Sequence, residues 1–234
     1  MAQRVGNAAN ILVGASPLFL TVEDSTVSGY ANNMEPGTLK AGTASRNTKV
    51  PAFDAAASYT DTLNAVDIAA GVNGAAYRNV GYTNNGLQIT YNPTYDSVTV
   101  DQLLDTAKLF KSAMEVMIAT EMSEGTLENT LVVFGQKKAT LNRVDDANAT
   151  LGFEAGALGA APTERQLIAV GKAPTTDTAA NTERIYYARR VLSVQQSQFS
   201  LARTAPTTFP VTFRLLPSGD SAYQGSEYGK IIDR

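Results

Sequence analysis

The chain contains no cysteine, no histidine and no tryptophan. Without cysteine there is no disulfide, no thiolate nucleophile and no Cys-based zinc site. Without histidine the commonest general base and transition-metal ligand is missing, and neither a Ser-His-Asp triad nor an H-E-x-x-H zinc motif can be built. Charge is scarce as well: 18% of residues are charged, against about a quarter in an average globular protein. A net charge of −3 and a pI near 5.1 argue against a dedicated nucleic-acid binder, which carries a basic stripe. No run approaches the ~20 apolar residues of a membrane span, so no membrane partner is expected. The start, MAQRVGNAAN, lacks the apolar core of a signal peptide. The expectation is a chain made in a cytoplasm and not exported by a cleaved leader.

What is present is small and neutral. Ala, Thr, Asn and Gly recur throughout 234 residues that are 44% hydrophobic, enough for one large β-rich domain or two small ones. A weakly charged surface of this kind is suited to being covered by neighbours.

Period-2 alternation dominates the patterned segments. Ile11 to Val22 alternates loosely around Pro17 and reads as a first strand. From Ser25 to Ala57 the pattern gives way to an extended loop insert, with only Met34, Leu39, Val50 and Phe53 as apolar anchors. Tyr59 to Ile68 fits a strand or a helical turn. In GLQITYN, Leu87, Ile89 and Tyr91 oppose Gln88, Thr90 and Asn92. Pro93 has no N–H for a ladder, which predicts a turn at Asn92-Pro93-Thr94. DSVTVDQ then sets Val98 and Val100 against Ser97, Thr99 and Asp101.

Lys108 to Met122 is helical by propensity, yet Phe110, Met114, Val116, Ile118 and Met122 share one parity, which fits a strand. Thr126 can cap a helix through Asn129, Leu127 to Phe134 supplies its apolar body, and Gly135 can end it. Further strands are expected at Leu151 to Ala155, Arg165 to Lys172 and Glu183 to Val194, the last continuing into Gln198 to Arg203. Residues 173–182 (APTTDTAANT) read as a loop or hairpin tip. Phe209, Val211, Phe213 and Leu215 alternate with Pro210, Thr212 and Arg214.

No spacing supports catalysis, and no cofactor or metal is expected. Asp145-Asp146 is a solvated pair on a polar loop. Asp146 to Thr150 resembles a calcium loop only faintly, since Leu151 stands where the sharp-turn glycine belongs. Gly225 to Lys230 lacks P-loop spacing, and Asn148-Ala149-Thr150 is a glycosylation sequon without a secretory route. Lys137-Lys138 suits a helix C-terminus on dipole grounds alone. Arg189 and Arg190, beside Tyr186-Tyr187, would face opposite sides of a strand, so at most one would serve any surface.

VGYTNNGLQITYNPTYDSVTVDQ with EGTLENTLVVFG, and later FPVTFRLLPSG with GSEYGKIID, resemble the major tail (tail-tube) proteins of long-tailed, non-contractile bacteriophages. The resemblance covers roughly Val80 to Gly135 and Arg184 to Asp233. It implies strand for 108–122 and a single tail-tube domain over 1–234: a mainly β sandwich or barrel with one flanking helix and long assembly loops. It also implies a structural virion protein, not an enzyme. Assembled in the host cytoplasm, its copies would form stacked hexameric rings, the tail tube through which DNA is ejected. Partners would be other copies, the tape-measure protein, the tail terminator and distal-tail proteins, with double-stranded DNA passing unbound. The alternatives are another virion β-protein (tail terminator, distal-tail or capsid decoration protein) or a β-sandwich binding module.

Under that resemblance the faces carrying Leu87, Ile89, Tyr91, Phe209, Val211 and Phe213 pack outward onto the helix and second sheet. Gln88, Thr90, Asn92, Ser97, Thr99, Asp101, Thr212 and Arg214 then face the lumen, with a carboxylate expected beside Arg214. Met34, Leu39, Val50 and Phe53 would make inter-ring contacts as the insert orders against a neighbouring ring. Deleting Gly37 to Pro51 is therefore expected to lower tube length and yield, read from micrographs; unchanged tubes would refute that role.

Overall fold

The structure, a computed structural model, describes residues 16, 18–21, 77–102, 105–143, 149–159, 162–173, 183–194, 198–199, 201 and 206–233. The 25–57 insert, with Met34, Leu39, Val50 and Phe53, lies outside the described residues, as do 59–68 and 174–182. Ten strands are described: β1 (Leu18–Thr21), β2 (Tyr77–Asn79), β3 (Thr83–Thr99), β4 (Thr106–Met122), β5 (Leu141–Arg143), β6 (Ala149–Leu151), β7 (Arg165–Lys172), β8 (Glu183–Ser193), β9 (Phe209–Leu215) and β10 (Gly229–Asp233). One α-helix among the described residues, α1 (Leu127–Val133), follows β4.

All pairings are antiparallel. The main sheet runs β2-β1-β7-β8-β9-β4-β3, with β10 also on β8, and β5 pairs β6 separately. The expected class holds: mainly β, a sandwich with one flanking helix. The helix and the β5–β6 pair form the second layer over the main sheet. Between the layers lie Leu18, Leu20, Val116, Ile118, Met122, Leu167, Val191, Phe209, Val211, Phe213 and Leu215, with Leu131, Val132 and Val133 from α1. Alternation in β9 is the cleanest: Phe209, Val211, Phe213 and Leu215 are buried between exposed Pro210 and Arg214.

The helix forms as its termini predict. Thr126 Oγ1 accepts the Asn129 N–H at 3.2 Å. At the other end Gly135 has φ 62°, and Gly135 and Gln136 donate to Val132 and Leu131, the paired bonds of a Schellman close. Buried Asn129 also donates its side-chain amide to the Val80 carbonyl at 2.8 Å and the Glu124 carbonyl at 2.9 Å. The cap thus ties the helix start to the chain entering β3.

Besides the strand expected at Leu151 to Ala155, which is instead Ala149–Leu151, three expectations need correction. Asn92-Pro93-Thr94 is not a turn. β3 runs straight through it for 17 residues beside the 17 of β4, and the hairpin turns between Thr99 and Thr106. β3 is the last strand of the sheet, and an edge position tolerates a residue with no N–H. Second, Lys108 to Met122 is strand, but a bulge at Ser112 (Thr94 opposite Ala113, Tyr95 opposite Lys111) moves Phe110 off the face of Met114 to Met122. Third, β8 ends at Ser193, and Gln198 and Phe199 lie outside any strand.

At the far end, Arg184 grips Asp233 with two bonds of 2.6 Å across β8 and β10. That hydrogen-bonded guanidinium holds the Asp233 carboxyl below the usual range. A depressed carboxyl stabilises the fold above its unfolded pKa and loses that contribution as pH falls through the folded one. Both partners are partly exposed, so Arg184→Gln should cost at most about 1 kcal/mol at pH 7. The gap between wild-type and variant melting points should close in acid.

Candidate assembly surface

Opposite the core, β3, β4 and β9 present a polar face. Register sets Gln88 beside Ala119 and Thr212, and Thr90 beside Met117 and Arg214, with Asn92 opposite Glu115. Directly opposed residues share a face, so Gln88, Thr90, Asn92, Thr212 and Arg214 lie together, as their alternation predicts. Arg214 Nη1 is 3.6 Å from Glu115 Oε1, the carboxylate expected beside it, and the pair is solvated enough to add little stability. Glu121 accepts from the Asn84 amide at 3.2 Å, the Asn85 amide at 2.7 Å and the Thr208 hydroxyl. Glu115 and Glu121 follow from the polar parity of β4, the complement of its apolar Met114, Val116, Ile118 and Met122. Charge on this face is therefore balanced or slightly acidic.

Ser97, Thr99 and Asp101 do not join that face. Because β3 continues past Pro93, Ser97 and Thr99 fall on the parity of Leu87, Ile89 and Tyr91, and Asp101 sits in the hairpin turn.

The second feature is the outer half of the β3–β4 hairpin. β9 reaches only Met117 to Met122 of β4. Thr106 to Val116 therefore pair with β3 alone among the described residues, a two-stranded ribbon extending roughly 35 Å at the usual rise per residue. It carries apolar side chains in water: Tyr91 is 58% exposed, Tyr95 56% and Leu109 63%, with Val98 and Phe110 also exposed. Tyr91, at the start of the ribbon, and Ile89, opposite Ile118 on the edge strand, are thus exposed where burial against the helix and second sheet was expected; Leu87 is half-buried. Lys111 Nζ stands 5.9 Å from the Tyr91 ring, one of the few contacts there.

A ladder of phenylalanines unforeseen in the sequence forms a third feature. Buried Phe209 meets Phe199 at 4.7 Å between centroids, Phe199 meets Phe134 at 6.0 Å, and Phe134 meets Phe153 edge-on at 5.4 Å. Phe153 ends the ladder 70% exposed. These four residues lie on different elements, so no local pattern announces them.

Among the described residues no helix is long and apolar enough to cross a membrane, and no cluster of acidic side chains has metal-ligand geometry. No protein-family model matches the chain, and no curated protein matches it in sequence.

Proposed function

We propose that the chain is a structural virion protein, a major tail protein whose copies close into hexameric rings and stack into the tube that conducts DNA. The hexamer, the stacking and the named tail partners come from the resemblance of Val80–Gly135 and Arg184–Asp233 to tail-tube proteins. The observation that carries the reading is the β3–β4 ribbon. A two-stranded hairpin is marginal on its own in water, and each half-exposed apolar side chain gains roughly 1 kcal/mol when its remaining surface is buried. A neighbouring copy is the natural cover. Contacts between unlike surfaces of identical chains build rings when the rotation closes and filaments when it does not.

The polar face supports the conduit role. A channel wall that neutralised phosphates would hold DNA through counterion release, whereas this face offers hydroxyls, amides and Arg214 beside Glu115. The reading assigns no catalytic step and places the protein in the tail of the virion. Sedimentation with negative-stain micrographs of the purified protein tests it. Long rods with an axial channel are expected; a monomer or one fixed small oligomer would overturn it in favour of a terminator, decoration or binding-module role.

A further inference from the structure

One face of the β3–β4 hairpin begins as core and ends in water. Ile118 and Met122 of β4 lie on the face that packs with Leu131, Val132 and Val133 of α1. That face continues outward through Tyr91, opposite Val116, and Pro93, opposite Met114. Past the bulge at Ser112, Tyr95 opposes Lys111 and Ser97 opposes Leu109, and opposed residues share a face. The approach of Lys111 Nζ to the Tyr91 ring agrees with that assignment. Tyr91, Tyr95 and Leu109 are each more than half exposed, so among the described residues the second layer stops short of them. Lys111 is the one charged residue among those on this stretch of the face, and it makes no ion pair among the described residues.

The second layer has an uncovered apolar end of its own. Phe134, just past α1, and Phe153, just past β6, meet edge-on, and both rings are exposed. Leu158, a few residues on, is exposed as well. Gln136, Lys137, Glu154, Ala157 and Pro162 line an open cleft of about 590 Å³, beside the two rings in sequence and with room for several side chains. The Glu154 backbone N–H donates to the Gln136 side chain at 3.2 Å, which ties the segment after β6 to the end of the helix. The Glu154 carboxylate is exposed and makes no ion pair among the described residues.

We infer that the ribbon of one copy docks this face onto the Phe134–Phe153 end of a second copy, with Lys111 of the first meeting Glu154 of the second. Within a subunit the second layer already covers the same sheet face, so a neighbour's second layer offers the same kind of surface to its outer half. Both surfaces are aromatic and exposed, as interaction patches are, and they carry unpaired charges of opposite sign. Because the surfaces differ, each copy gives one ribbon and receives one, the arrangement that builds rings or filaments. The inference rests on the proposed assembly for its claim that copies cover the ribbon, but it does not require that the assembly be a tube.

Charge reversal in the full-length protein tests it, with the concentration needed for assembly read by sedimentation. Lys111→Glu and Glu154→Lys should each raise that concentration about tenfold, because like charges then meet across a contact that excludes water. The double reversal should return it to near the wild-type value, the signature of direct coupling. Equal mixing of the two single variants should restore assembly too, since each ribbon then finds the opposite charge on the other variant. That rescue cannot come from misfolded chains or from a contact within one subunit. Reversals without effect, or with effects that neither the double variant nor the mixture cancels, overturn the contact while wild-type rods leave the tube reading standing. Cancellation within a fixed small oligomer supports the contact and overturns the tube. A wild-type chain that stays monomeric overturns both.

Discussion

Replacing Pro93 to Met114 with Asn-Gly, which joins the opposed residues Asn92 and Glu115 through a two-residue hairpin turn, should abolish rods while leaving a folded subunit. The excision removes most of the ribbon beyond β9 and keeps every side chain packed between the layers except the half-buried Met114. The Glu115–Arg214 pair also survives. The subunit should therefore melt within a few degrees of wild type, since it loses little buried apolar surface. Sedimentation should show a single small species, whereas the intact protein is expected, on the proposed function, to give long assemblies. Rods of normal length and yield from the excised protein would show that the ribbon takes no part in assembly. A subunit that failed to fold would instead show that the ribbon stabilises the domain.

Phe213→Ala should be the most damaging single substitution in the sheet. Phe213 is 1% exposed and stands opposite Ile118 of β4 and Ser193 of β8, at the centre of the apolar layer. Truncating a buried phenylalanine to alanine costs about 3–5 kcal/mol, a large part of the roughly 5–15 kcal/mol that holds a domain together. At about 2–4 °C per kcal/mol for a chain of this size, the melting temperature should fall by roughly 6–20 °C. Arg214→Ala, one residue along on the solvated face, should change stability by no more than about 0.5 kcal/mol. Equal losses at the two positions would refute the inside–outside assignment of β9.

Local signals read from the sequence fared according to how local their causes were. The α1 cap, its glycine close, the limits of β7 and the alternation of β9 all depend on residues within a few positions, and each forms as its pattern predicts. The sharing of one polar face by Gln88, Thr90, Asn92, Thr212 and Arg214 also followed from strand parity. Parity groups residues within each strand, and burial of the apolar sets together selects the register that puts the polar sets on one face.

Tertiary structure decided the rest. Pro93 is a break signal in an interior strand, and only the placement of β3 at the sheet edge makes it acceptable mid-strand. That continuity in turn moved Ser97 and Thr99 to the opposite face. The bulges at Ser112 and at Arg189-Arg190 exist only relative to a partner strand. One sent Phe110 to the other face, and the other lets Arg189 and Arg190 line one cavity, where a regular strand would send them to opposite sides. The phenylalanine ladder joins residues from four separate places in the chain. By itself, then, the sequence determined a weakly charged, disulfide-free β protein with one capped helix, because composition, capping and period-2 alternation are properties of short segments. Which strand lies at the edge, where the ladders bulge and how far the hairpin outruns its neighbour depend on pairing between distant segments, and the sheet alone decided them.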